Sequence, residues 1–264
     1  MRRNGLFWGS ILVVVGVLLL LQNLGIIPAS ISLWGVFWPL LLIGLGLRAL
    51  WGVFGPRRAL TSEAVTIPLE GASQAHVRIR HGAGRLHLQA GAGSNEIASG
   101  TFLGGLDFSS RREGDELKVK MRVPDDGFMW MGPMEPRDWD VRLNEGVPLE
   151  LNLKTGANEA KLDLTDLRVT GLRYETGASS TELTLPARAG HTRVDISAGA
   201  ASFNIRVPEG VAVRLRSRGG LSSTDVDTQR FPRQGEVYQS LDYETAANRA
   251  EISVEMGAGS VRVV

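Results

Sequence analysis

Cysteine is absent from this 264-residue chain. That removes disulfides, thiolate metal sites and cysteine nucleophiles together. It leaves the compartment open, because a chain without thiols is tolerated on either side of a membrane. Histidine is scarce, at four residues. His81 and His87 stand at the even spacing that shares a strand face, yet no carboxylate or third ligand accompanies them. No metal and no cofactor is expected. The sequence holds no Gly-x-Ser-x-Gly, no phosphate-binding loop and no His-Glu-x-x-His. Asp163/Asp166 and Asp225/Asp227 are the nearest approach to a glycosidase pair, but surface turns carry aspartate equally well. The chain is therefore read as non-enzymatic. Its net charge of +1 lacks the basic excess of a nucleic-acid binder.

One further lack is local. Residues 1–60 contain no acid, only Arg2, Arg3, Arg48, Arg57 and Arg58, while all 28 acidic residues lie beyond them. Within that stretch Leu6–Ile27 is an uncharged run of 22 residues, and Leu33–Phe54 is a second, broken only by Arg48. A helix of such length spans about 33 Å, enough for a hydrocarbon core of roughly 30 Å. The first run exceeds the apolar stretch of a signal peptide. The expectation is a transmembrane hairpin over residues 1–58, with helices at about 6–27 and 33–54, then a linker at 59–64. Arginines flank both outer ends and the connecting loop has none. The positive-inside rule then puts both ends, and the domain that follows, in the cytoplasm.

Residues 65–264 read as a β-repeat domain. A Gly-Ala phrase recurs with its glycine at Gly82, Gly156, Gly177, Gly199 and Gly257, and Gly220 marks a degenerate copy. From Gly156 the steps are 21, 22 and 21 residues, and the last, to Gly257, is 37. Apolar residues stand five and three positions before nearly every glycine, and again six after, at Leu88, Leu162, Leu183, Ile205, Val226 and Val263. That alternation marks half-buried strands on both sides of a turn. Glycine is expected to turn the chain by adopting positive φ. A period near 21 residues favours a stacked β-solenoid, with a β-sandwich of hairpins as the alternative. Stacking in sequence order predicts a sign-alternating row Arg173–Asp195–Arg216 and a Lys154–Glu175 pair.

The 74-residue interval between Gly82 and Gly156 holds a Pro/Met/Trp-rich insertion at about 124–140. Phe128, Met129, Trp130, Met131 and Trp139 are its candidate contacts. They either grip a partner or membrane surface or cap the open end of the repeat core.

The phrases Gly9-Ser-Ile-Leu-Val-Val-Val-Gly-Val-Leu-Leu-Leu-Leu-Gln-Asn-Leu-Gly25 and Leu33-Trp-Gly-Val-Phe-Trp-Pro-Leu-Leu-Leu-Ile-Gly-Leu-Gly46 resemble the LiaI/LiaF-like transmembrane region. The Gly-Ala repeats resemble the toast-rack, or adhesin-like, β-repeat domain often joined to it. The resemblance implies a bacterial protein of the cell (inner) membrane, of the envelope stress-response type. LiaF-like members restrain a sensor kinase, but they are expected to carry more membrane helices than this one hairpin. The partners expected are the lipid bilayer and a membrane sensor or regulator, or further copies of the chain, with no nucleic acid. Two other readings remain open. One is a self-assembling structural solenoid like the bactofilins, because Ser260–Val264 ends the chain without a polar cap, which favours either assembly or an internal partner for that strand. The other is an outward-facing polysaccharide-binding domain.

Overall fold

A computed structural model of the chain describes residues 61–124 and 137–264, together with Trp38, Ile43 and Gly44. The chain divides into two compact units, Met1–Arg57 and Arg58–Val264. In the first, the three described residues are helical. Among the described residues no helix is long and apolar enough to cross a membrane, and both expected transmembrane helices lie outside them.

The second unit is all β. In chain order its strands are β1 (Ser62–Pro68), β2 (Gln74–His81), β3 (Gly84–Ala90), β4 (Glu96–Leu103), β5 (Asp107–Glu113), β6 (Glu116–Arg122) and β7 (Trp139–Leu143). Then come β8 (Leu149–Asp163), β9 (Val169–Thr184), β10 (His191–Arg206), β11 (Val211–Val226), β12 (Arg233–Gln234), β13 (Val237–Gln239) and β14 (Asn248–Val263). The five long strands lie parallel, in the order β8-β9-β10-β14-β11. Parallel pairing of successive strands excludes hairpins between them.

The registers explain the sequence pattern. Leu151, Leu172, Val194, Ile252 and Leu215 are successive register partners across this stack. So are Leu88, Leu162, Leu183, Ile205, Val263 and Val226 on the other side of the glycines. All but Val226 are buried, and Val226 packs half-buried against them. Each such side chain contributes about 1.5–3 kcal/mol by leaving water. The outward positions between them are polar, so a one-residue slip would bury charge and expose leucine.

The glycines do a different job from the one expected. Gly82, Gly156, Gly177, Gly199, Gly220 and Gly257 all lack positive φ, and five of the six lie inside long strands. What they share is a close approach. A Cβ on Gly156 would lie 2.8 Å from the Gly82 carbonyl oxygen, and one on Gly177 3.2 Å from that of Gly156. On Gly199 it would lie 2.7 Å from the Gly177 oxygen, on Gly257 2.7 Å from that of Gly199, and on Gly220 3.3 Å from that of Gly257. The repeat glycines thus form one column in which each backbone leans on the carbonyl of its neighbour. Glycine is required there by space and not by handedness.

The column also corrects the stacking order. β14 lies between β10 and β11, so Asp195 faces Arg173 on one side and Ser253 on the other. Arg216 also faces Ser253, and the row Arg173–Asp195–Arg216 does not form. The 37-residue step is the reason: residues 227–247 make an excursion that includes β12 and β13 and returns the chain to the inner side of β11. The Lys154–Glu175 pair is present at 2.6 Å. Of the two readings of the last strand, assembly or an internal partner, the structure shows the second: β14 is paired on both sides within the domain.

β2 and β3 extend the stack beyond β8, pairing with its first and second halves respectively. β6 lies parallel outside β2 and β7 parallel outside β3. Antiparallel strands finish this end, with β5 on β6, β4 on β7 and β1 on β4.

Candidate functional site

The insertion is anchored at the foot of the glycine column. The Val123 amide donates to the Arg80 carbonyl (3.3 Å), and the Arg137 amide donates to the Ala83 carbonyl (3.0 Å). The chain therefore leaves β6 and rejoins β7 on either side of the level of Gly82. Where the other layers cross this level in two small residues, the β6–β7 layer carries the Pro/Met/Trp segment. Phe128, Met129, Trp130 and Met131 lie outside the described residues. Trp139 is described, and it is buried and not a surface contact. It is 1% exposed, packed edge-on against Phe102 (ring centroids 5.1 Å apart) and His81 (5.2 Å).

His81 closes the same corner. Its Nε2 lies 2.8 Å from the Arg137 carbonyl oxygen, so Nε2–H donates to that carbonyl. Burial pushes the imidazole below its ordinary value, and the carbonyl bond and nearby Asp138 oppose the shift without cancelling it. The folded domain thus holds His81 neutral while the unfolded chain protonates it near its ordinary value of about 6.5. Stability from this group is complete above that value and is lost as pH falls towards the depressed folded value. The unfolding temperature is expected to drop between pH 7 and pH 5. His81→Phe, which keeps a ring against Trp139, is expected to start lower at pH 7 and to lose part of that slope. Calorimetry across the interval measures both.

The remaining sequence candidates are tied down in ordinary ways. His76 faces Glu150 (3.4 Å) and His87 faces Asp140 (3.2 Å), each in its own pair. Among the described residues no group of three or more His, Asp or Glu is placed to hold a metal. Asp163 accepts from the Thr165 amide (3.1 Å) and hydroxyl (2.6 Å), and Asp166 pairs with Arg188 (3.6 Å). Asp225 pairs with Arg262 (3.0 Å), while Asp227 accepts from the amides of Gln229 (3.0 Å) and Arg230 (3.4 Å). These carboxylates build turns and surface pairs.

What sequence reasoning did not place is where the open strand edge falls, on β11. β14 covers one side of β11 along its length, and β13 covers the other side only at Arg214 and Leu215. Past the column glycine, Gly220–Val226 is paired on one side alone among the described residues. This edge has one charge, Asp225, no proline, and a leucine, Leu221, that is 83% exposed. Natural edges are usually blunted by lysine, proline or a bulge. β5, by contrast, carries Asp107, Arg111, Arg112 and Glu113. The signal available in the sequence was the 37-residue step, which marks where the repeat order breaks.

With this geometry in view, the comparisons are specific. Residues 57–206 match the family described as the N-terminal domain of toast_rack, DUF2154. Residues 6–50 match the LiaI-LiaF-like transmembrane region. Among solved structures, a candidate cell adhesion protein from Clostridium sporogenes is similar in fold, with a TM-score of 0.70 at 19% identity. The likeness covers 77% of this chain and 98% of that one. A candidate adhesin from Bacteroides fragilis matches at 8% identity with a TM-score of 0.30, over 79% of this chain and 99% of that one. No curated protein matches.

Proposed function

The chain belongs to the toast-rack family, joined here to a LiaI-LiaF-like transmembrane region, and on that footing we propose a non-enzymatic, membrane-anchored regulatory or scaffolding role. The protein acts in the bacterial cell-envelope stress response. The stacked β-domain presents a strand edge to a protein partner, a membrane sensor or regulator. The observation that carries this reading is the open edge at Gly220–Val226. An incoming strand can extend a sheet there by backbone hydrogen bonds, and the exposed Leu221 offers a side-chain contact beside it. Within this reading each layer of the stack is one repeat of about 21 residues, and the transmembrane segment is a hairpin with the β-domain in the cytoplasm.

The test is a pair of edge charges. Leu221→Lys with Ser223→Lys imitates the way natural edges are protected. In a deletion strain carrying an envelope-stress reporter, the native chain is expected to reset the response. The edge variant, at equal membrane level, is expected to leave the reporter within twofold of the deletion. Full activity of the variant would remove the edge from the function. Orientation is read in the same strain. The chain lacks cysteine, so Ser223→Cys is the single target for an impermeant thiol reagent. Protection until lysis supports the cytoplasmic placement, and labelling of intact cells overturns it.

A further inference from the structure

One face of the domain sets like charges side by side. In a β-sheet, residues in register share a face, and like charges directly opposite each other are unfavourable. β2, β6 and β8 nevertheless align Lys120 with Arg78, Arg122 with Arg80, and Arg80 with Lys154. Arg78 is followed across the sheet by Asn152 and Arg173. The result is two adjacent rows, Lys120–Arg78–Asn152–Arg173 and Arg122–Arg80–Lys154. Six cations and one amide fill seven positions. Yet residues 61–264 as a whole carry more acid than base, so the positive charge is segregated here.

Some of these cations are neutralised within the domain. Arg122 pairs with Asp107 (2.6 Å), Lys154 with Glu175 (2.6 Å) and Arg173 with Glu175 (3.0 Å). The centre of the patch is not. Among the described residues Arg78, Arg80 and Lys120 have no side-chain hydrogen bond or carboxylate partner, although ten carboxylates form ion pairs with other lysines or arginines. Arg78 Nε is also shielded from water with nothing accepting its hydrogen, and the side-chain oxygen of the neighbouring Asn152 is likewise buried and unpaired. Three like charges set side by side without a counter-charge repel one another, and an anion meeting their outer ends relieves that cost.

The charge and the tether together point to the occupant. The second apolar run ends at Phe54 and β1 begins at Ser62, which leaves seven connecting residues. Fully extended they reach about 25 Å. A domain held so near a bilayer meets the phosphate groups of that bilayer at high effective concentration, and basic clusters near anionic lipid are attracted within a Debye length. We propose that the patch centred on Arg78, Arg80 and Lys120 docks the toast-rack domain onto the anionic phospholipid headgroups of the membrane that anchors it. The guanidinium groups take phosphate oxygens, and Lys120 adds a point charge. The flat register of the rows suits a surface of many headgroups better than one enclosed ligand. This inference uses the membrane anchor of the preceding reading and neither its orientation nor its partner edge.

The test uses the full chain in nanodiscs. One set holds phosphatidylcholine alone, and the other holds phosphatidylcholine with roughly a third phosphatidylglycerol. Ser109→Cys is the reporter, because Ser109 is exposed and in register with Lys120. Ser180→Cys, exposed on the far side of the glycine column, is the control. Reaction of Ser109→Cys with a bulky impermeant maleimide is expected to slow at least threefold in the anionic discs and to recover in half-molar salt. Ser180→Cys is expected to react equally in both. Adding Arg78→Gln, Arg80→Gln and Lys120→Gln, with the β-sheet circular dichroism unchanged, is expected to restore the fast rate. Equal rates in the two lipids would overturn the proposal, as would a slowing that survives the triple variant. Protection by inorganic polyphosphate in neutral discs, without protection by phosphatidylglycerol, would also overturn it by assigning the patch to a soluble polyanion.

Discussion

Gly259→Ala is expected to be among the most damaging single-methyl changes in the β-domain, costing about 2–6 kcal/mol against a typical domain's margin of about 5–15 kcal/mol. Two independent penalties add. Gly259 has φ of +135°, a conformation that a residue with Cβ adopts only under strain, at about 1–3 kcal/mol. The new Cβ would also sit 1.8 Å from the Ala201 carbonyl oxygen, which belongs to the adjacent strand β10 and cannot swing away as a side chain would. Overpacking of that kind costs a further 1–3 kcal/mol or so. Graded controls come from the same motif. Gly199→Ala meets only the steric term, with a Cβ 2.7 Å from the Gly177 oxygen, and is expected to cost about 1–3 kcal/mol. Gly82→Ala meets nothing within 4 Å among the described residues and has no positive φ, so it is expected to be nearly neutral. Thermal unfolding followed by the β-sheet signal should rank them Gly259, Gly199, Gly82. If Gly82→Ala proved as harmful as Gly199→Ala, the glycines would be serving something other than the column.

The sequence shows that these glycines recur but not what they are for. Period-two alternation reports which side chains face inward, and it located the buried partners of Leu151 and Leu162 because burial acts on each residue separately. Space between backbones is a property of two strands together. A glycine required by a neighbouring carbonyl and one required by positive φ look the same in one dimension. The order of layers was hidden for a similar reason. Residues 227–247 have no repeat pattern, so nothing local says that the chain re-enters between β10 and β11. The open edge of β11 follows from that re-entry and was invisible with it. The basic patch was half legible: the alternating cations of His76-Val-Arg-Ile-Arg80 and Lys118-Val-Lys-Met-Arg122 are plain. Their adjacency depends on β6 pairing with β2 across 42 residues, with no shared motif to announce it.

Trp139→Ala is expected to cost about 3–5 kcal/mol, and to do so without touching any surface contact. The indole is the largest fully buried side chain among the described residues. β7 is five residues long and pairs with β3 on one side and β4 on the other. Through it the parallel stack meets the antiparallel strands β4 and β1. The ring faces of Phe102 from β4 and His81 from β2 meet at this indole, and each such edge-on pair adds roughly 0.5–1.5 kcal/mol beyond the area buried. Truncation therefore leaves a cavity walled by strands that are fixed on their far sides and cannot close over it. Trp139→Phe separates packing from polarity. Among the described residues the indole nitrogen has no hydrogen-bond partner, so phenylalanine forfeits no bond there, and its expected cost is under about 2 kcal/mol. Chemical denaturation of the two variants gives the ranking. A Trp139→Ala domain as stable as the native one would return this residue to the list of partner contacts. A loss of several kcal/mol assigns it to the joint between the two kinds of sheet, and leaves the recognition surface to be sought on the open edge and the basic face.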